Sequence, residues 1–368
     1  MDRVALADAV ARCWNGAGVC YAVAHGIDEW PERLGRDLDV VVARRDVRRA
    51  VASARDVLRA QGLVVVRPPP LWGERLVAAD PDAPDDLLEI HTTTAITWRN
   101  TAIVERPEPA GRVGPFAVDP WVGVAKRVVL PLLAGRVRLL RDEPERTALA
   151  ADERSAAACR LADLMGAGLA GRLLAALAAG DFDALEPLAQ RARRAVFWRS
   201  ATRHPVRAAS LLCRSLARRI REPLAPCAPI VAVVGGGEAA ALVRQIAHGD
   251  RLVFTDLVVR PRGGGSALGQ LLRDRIDSSR QRLVLYEDGP AGEVPNAHAG
   301  ARRVRGLLRP APDLTIVVGV AAAPAAGRDG VVTVLPAVGG DELRRRAVAL
   351  IIGAFMVKHG GAWRPEHR

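Results

Sequence analysis

The run Arg36-Asp37-Leu38-Asp39-Val40-Val41-Val42 places two carboxylates, one residue apart, at the mouth of an apolar stretch. On a strand, alternate side chains share a face, so Asp37 and Asp39 point together and Leu38 points the other way. Downstream, Leu87-Leu88-Glu89-Ile90 sets a third carboxylate inside a strand-like apolar run, and upstream His25-Gly26 supplies a glycine turn. Three converging carboxylates form a hard-oxygen donor set, the kind that holds Mg²⁺ or Mn²⁺ together with substrate phosphates. The chemistry served by such a set is in-line displacement at a phosphoryl centre. By itself an Asp-Leu-Asp triplet at a strand end reads as solvated surface; the turn and the third carboxylate lift it above that reading.

The elements that must position these groups are set by periodicity and punctuation. An amphipathic helix is expected over residues 3–15, a strand over 20–24, the carboxylate strand over 38–43, and a helix over 46–61 ended by Gly62. A further strand is expected over 63–66; Pro68-Pro69-Pro70 then opens a loop, and 87–91 forms the strand of the third carboxylate. His91 falls on the same strand face as Glu89, as a helper in metal binding or as a packed core group. His25 either touches phosphate or packs at the end of its strand. Lys126, in Val122-Gly123-Val124-Ala125-Lys126-Arg127 at the start of a helical pattern, either neutralises a leaving pyrophosphate or is a surface lysine.

The order of turn, paired carboxylates and third carboxylate resembles the nucleotidyltransferase superfamily, the DNA polymerase beta-like fold. Its pattern of an apolar residue, Gly, a small residue, a gap, Asp-apolar-Asp/Glu-apolar and a later apolar-Asp/Glu-apolar is matched by Gly26-Ile27, Asp37-Leu38-Asp39-Val40 and Leu88-Glu89-Ile90. Ile27 stands where the family has a small residue, a substitution expected to crowd the phosphates, and Glu89 stands where Asp is commoner. The stretch ending Ile96-Thr97-Trp98-Arg99-Asn100 also resembles the segment after this strand in certain bacterial relatives. The resemblance implies that Asp37, Asp39 and Glu89 are the catalytic, metal-holding set. It further implies that His25, Gly26 and Lys126 bind nucleotide, Gly26 by letting the backbone approach the phosphates.

Residues 150–222 are rich in Ala, Leu and Arg with helical spacing in Leu161, Leu164, Leu169, Leu173 and Leu177, and predict three or four helices divided at Gly180-Asp181 and His204-Pro205. Beyond the linker Glu222-Pro223-Leu224-Ala225-Pro226, an apolar strand runs into Gly235-Gly236-Gly237 and then a helix, the setting of a phosphate-binding P-loop. The lysine and hydroxyl that a P-loop needs are absent: Ala239, Ala240 and Ala241 stand there, and Glu238 brings negative charge. The segments 282–290 and 310–318 resemble the later strands of thymidylate kinase-like domains, with Glu287-Asp288 where that family has Asp-Arg. A final strand is expected over 331–335 and a final helix over 342–355.

The expected architecture is therefore a multi-domain α/β chain. It has an N-terminal α+β nucleotidyltransferase fold (1–145), a helical middle (146–222) and a kinase-like parallel sheet with helices on both faces and a degenerate P-loop (228–368). This order resembles a bacterial fusion family, found in actinobacteria and associated with surface-polysaccharide or specialised-metabolite pathways. With 368 residues there is ample core, and the apolar run 347–357 is core-helix length, so no membrane insertion is expected. The acidic and basic residues near Met1 do not make a signal peptide, and five cysteines without CxxC spacing predict reduced thiols, no zinc and a cytoplasmic protein. The net charge of +12 is almost entirely arginine, Lys126 and Lys358 being the two lysines. Between Gln190 and Arg221 lie ten arginines and no carboxylate; a solvated helix face accounts for them better than nucleic acid does.

The function these readings predict is transfer of a nucleoside monophosphate from an NTP, ATP by preference, to a small-molecule or peptide acceptor with Mg²⁺ or Mn²⁺. Kinase activity is not expected, and an oligomer is compatible with the sequence. Two alternatives stand beside it, a scaffold with decayed nucleotide sites and an RNA-binding or RNA-modifying protein.

Overall fold

The computed structural model describes residues 1–28, 30–32, 34–35, 37–68, 74–80, 83, 86–141, 143, 149, 155–221, 229–234, 236–248, 256–261, 282–288, 314–318, 331–335 and 340–360. Helix α1 (Arg3–Gly16) leads into β1 (Tyr21–His25), β2 (Asp37–Val42), α2 (Val47–Ala60), β3 (Val64–Val66), β4 (Glu74–Ala79) and β5 (Leu87–Thr93). A hairpin of β6 (Ile96–Trp98) and β7 (Thr101–Val104) comes next, then β8 (Gly111–Val113) and β9 (Phe116–Val118). The first sheet is mixed and seven-stranded, in the order β3-β4-β5-β2-β1-β9-β8. Its centre is the parallel pair β2–β5, flanked by antiparallel β1–β2 and β4–β5.

Strand β4 corrects the sequence reading, which left the stretch opened by Pro68-Pro69-Pro70 as loop until 87. Five of its six residues are buried, but Glu74-Arg75 at its start hid the strand from a hydrophobicity count. The carboxylate strand and the helix after it start one residue away from their expected positions, at Asp37 and Val47. Asp46 serves α2 differently from a usual cap: its carboxylate accepts the Cys20 N–H at 3.1 Å and meets Arg49 at 2.5 Å, tying the helix entry to β1.

Each face of the first sheet has its own cover. Leu38, Val40, Leu76, Leu88 and Ile90 face α1 and α2 in one core. On the opposite face, Ala22, Ala24 and Val41 pack beneath the hairpin and the helices beyond it. Those helices are α3 (Pro120–Val124), a π-helical stretch Ala125–Val129, α4 (Leu130–Ala134), α5 (Ala156–Met165), α6 (Ala167–Ala179) and α7 (Phe182–Arg203), after which comes α8 (Pro205–Arg221). The four helices from α5 onward answer the expectation for the middle region, with Gly180 in the left-handed conformation closing α6 and Asp181 accepting from Ala184 N to open α7.

A second, five-stranded sheet is wholly parallel, with β10 (Ile230–Val234), β11 (Asp256–Pro261), β12 (Arg282–Asp288), β13 (Leu314–Val318) and β14 (Val331–Leu335) in the order β11-β12-β10-β13-β14. Helix α9 (Gly236–His248) comes after β10, and α10 (Gly340–Lys358) is longer at both ends than the sequence predicts. Residues of α10, among them Ile351, Ile352 and Phe355, share a core with Val66, Val77, Ala79 and Leu87 of the first sheet. Among the described residues, no helix is long and apolar enough to cross a membrane.

Candidate functional site

The two covers on one face of the first sheet, the helical middle over β1 and β2 and α10 over β3 to β5, leave a strip between them. Alternation delivers Asp37, Asp39, Glu89 and His91 to this strip. Leu38, fully buried on the opposite face, fixes that choice, because a one-residue slip would bury the carboxylates and expose the leucine, which is worth about 2 kcal/mol. The parallel register sets Asp37 opposite Glu89 and Asp39 opposite His91. Asp37, Glu89 and His91 each present one ligating atom, and these atoms lie within 4.8 Å of one another.

Asp39 is turned toward a different group, Lys126 Nζ at 3.1 Å. Lys126 lies in the π-helical stretch and not at the start of a helix, the position its sequence suggested. A π turn opens the i to i−4 spacing and is a frequent device at functional positions. Next to it, Arg127 meets Asp28 directly and Glu143 at 3.5 Å, while Asp28 also sits 3.3 Å from His25 Nδ1. Lys126 is thereby held over the carboxylate strip and Arg127 over the turn after β1. Asp119 anchors both from the start of α3, its carboxylate accepting Trp121 N at 2.9 Å and Glu108 N at 2.8 Å.

Gly26 has φ +108°, and a Cβ there would overlap the Asp37 carbonyl oxygen and lie 3.2 Å from Leu38 Cα. Only glycine lets the turn after β1 press this closely on the start of β2. Ile27, expected to crowd the phosphates, instead lies half-buried against the α1–α2 core. His25 is half-exposed and paired with Asp28.

The residue that sequence reasoning missed is Arg75. Its Nε donates to Glu89 Oε2 at 2.9 Å and its Nη2 contacts the same oxygen, with both side chains no more than 5% exposed. His91 Nε2 lies 3.2 Å from that oxygen. Phe355 of α10 presents its ring 6.0 Å from the Arg75 guanidinium, so the C-terminal unit reaches the carboxylate strip. Arg75 faces Glu89 only because β4 pairs antiparallel with β5, setting Arg75 opposite His91 and diagonal to Glu89. Its one available signal was an arginine at the head of the apolar run Leu76-Val77-Ala78-Ala79.

The glycine run belongs to the segment after β10 of the second sheet. Gly235 falls outside the described residues, while Gly236 and Gly237 begin α9 after β10, with Glu238 exposed in the first turn. The strand order departs from sequence order on both sides of β10, the switch point beside which open α/β sheets bind ligands. No family model, curated protein or solved structure matches the chain.

Proposed function

We propose that this chain is a metal-dependent nucleotidyltransferase that moves a nucleoside monophosphate, AMP from ATP, onto a small-molecule or peptide acceptor. The observation that carries the reading is the convergence of Asp37, Asp39, Glu89 and His91 on one strip of β2 and β5, beside the Gly26 turn and Lys126. The carboxylate oxygens of Asp37 and Glu89 suit a hard divalent cation, while the His91 imidazole is a softer ligand and Glu89 also meets Arg75. Asp37, Glu89 and His91 would hold Mg²⁺ or Mn²⁺, which supplies charge neutralisation at the triphosphate.

The protein's own groups have separable tasks. The turn at Gly26 offers close backbone approach to phosphate oxygens, because no side chain intervenes. Lys126, 38% exposed and paired with a half-buried Asp39, is in a pair worth at most about 1 kcal/mol, so it can turn to a leaving pyrophosphate at little cost. Glu89 is engaged by Arg75 and His91, which suits it to orienting groups more than to collecting a proton. In the reaction the acceptor oxygen bonds to the α-phosphorus, the bond from that phosphorus to the bridging oxygen breaks, and pyrophosphate departs. A hydroxyl acceptor gives up its proton to a carboxylate of the strip or to water; a carboxylate acceptor has none to give and yields an acyl-adenylate.

Ala239 to Ala241 and the exposed Glu238 at the head of α9 argue against phosphoryl transfer in the C-terminal unit. The test is calorimetric titration of ATP, GTP, CTP and UTP with Mg²⁺ or Mn²⁺ into the wild type and Asp37→Ala/Asp39→Ala. Metal-dependent binding present in the first and lost in the second is expected. No binding in either protein removes the transferase reading and leaves the scaffold.

A further inference from the structure

A cleft of about 550 Å³ opens between β7 and the loop after it on one side and α5, α7 and α8 on the other, and it shares no residue with the carboxylate strip. Its charged groups are unevenly paired. Glu105 is met by Arg207, and Glu108 is met by Arg160 at 2.6 Å and Arg106 at 3.5 Å. Arg199 and Arg203 have no carboxylate partner among the described residues: Arg203 donates at 3.4 Å to the backbone carbonyl of Asp163, an exposed residue of the rim, and Arg199 Nε is shielded from solvent with no hydrogen-bond partner there.

The two arginines are four residues apart on α7 and so share a helix face. Paired guanidinium forks match the charge and the oxygen spacing of a phosphate. The lining residues are mostly polar, and the apolar ones include the buried Trp121 and the partly buried Leu211. We propose that this cleft binds a small molecule bearing one phosphomonoester, its phosphate held by Arg199 and Arg203 and its organic part against Trp121 and Leu211. A long polyanion fits less well, because Glu105, Glu108 and Asp163 line the same cleft and would repel successive phosphates.

The probe is AMP, titrated into the full chain in EDTA and followed by tryptophan fluorescence and calorimetry, with adenosine, inorganic phosphate and a short single-stranded oligonucleotide as comparisons. The same titration in Asp37→Ala/Asp39→Ala separates this site from the metal-dependent one, so either reading can fail without the other. Saturable AMP binding is expected in both proteins, displaced by inorganic phosphate and absent for adenosine. Arg199→Gln should weaken it by about ten- to a hundredfold. Arg203→Gln, on an exposed part of α7 where folding is not at stake, should weaken it by about tenfold. The proposal is overturned if AMP does not saturate, if neither substitution changes its affinity, or if the oligonucleotide alone binds.

Discussion

Replacing Arg75 by methionine isolates the contact that structure added to the site. Methionine keeps the unbranched stem but removes the guanidinium that meets Glu89 Oε2 through Nε and Nη2. Glu89 is 4% exposed and would keep His91 Nε2 at 3.2 Å in place of a permanent cation. Breaking a buried ion pair from one side strands a charge out of water and costs about 3–5 kcal/mol. At about 2–4 °C per kcal/mol for a unit of this size, the unfolding midpoint should fall by roughly 6–20 °C. Circular dichroism of the full chain during heating and in urea measures this directly. Arg75→Met/Glu89→Leu should recover most of the loss, because a buried pair exchanged for apolar groups is close to neutral. A loss below about 1 kcal/mol for Arg75→Met, the range of an exposed pair, would refute the reasoning. So would a double variant as unstable as the sum of the two single ones.

Gly26→Ala forces a Cβ into the Asp37 carbonyl at φ +108°, a strain of about 1–3 kcal/mol. Nucleotide affinity in the metal-containing titration should fall with stability, and an unchanged affinity would detach the turn from the site. Asp46 supplies a pH dependence: burial raises its carboxyl, but the Cys20 N–H and Arg49 outweigh burial and hold it below the usual range. A depressed folded-state value means stability that is present above the unfolded value, about 3.9, and lost as pH falls through the folded one. Asp46→Asn should therefore be less stable than the wild type by about 1 kcal/mol at neutral pH, with the gap narrowing as pH falls below the unfolded value. A gap that stays constant in urea unfolding from pH 7 to pH 3 would show that the charge contributes nothing.

The parts of the site that lie within one element were legible in the sequence. Asp37 and Asp39 share a face because strands alternate, and the buried Leu38 between them makes the opposite register too costly. Glu89 and His91 obey the same rule, and Gly26 was conspicuous as the glycine of a turn. The contacts between elements were not legible. Arg75 sits fourteen residues before Glu89, and nothing in its own strand says which neighbour that strand will take. Lys126 stands out for its rarity, yet its partner is Asp39, across a separation no local pattern encodes. Ile27 escapes a local reading because the turn suggests phosphates it would crowd, while the α1–α2 core takes the side chain.

Sequence by itself determined which faces are apolar, where helices start and stop around Gly180 and His204-Pro205, and which carboxylates share a strand face, since these depend on backbone period and steric preference over a few residues. Tertiary structure alone decided that β2 and β5 are parallel neighbours, that Arg75 neutralises Glu89 beneath Phe355, and that Arg199 and Arg203 line a cleft with Trp121. Those outcomes depend on which surfaces meet. Burial is proportional to area and has no direction, so the meeting is settled by the packing of the whole chain and leaves no mark on any single stretch of it.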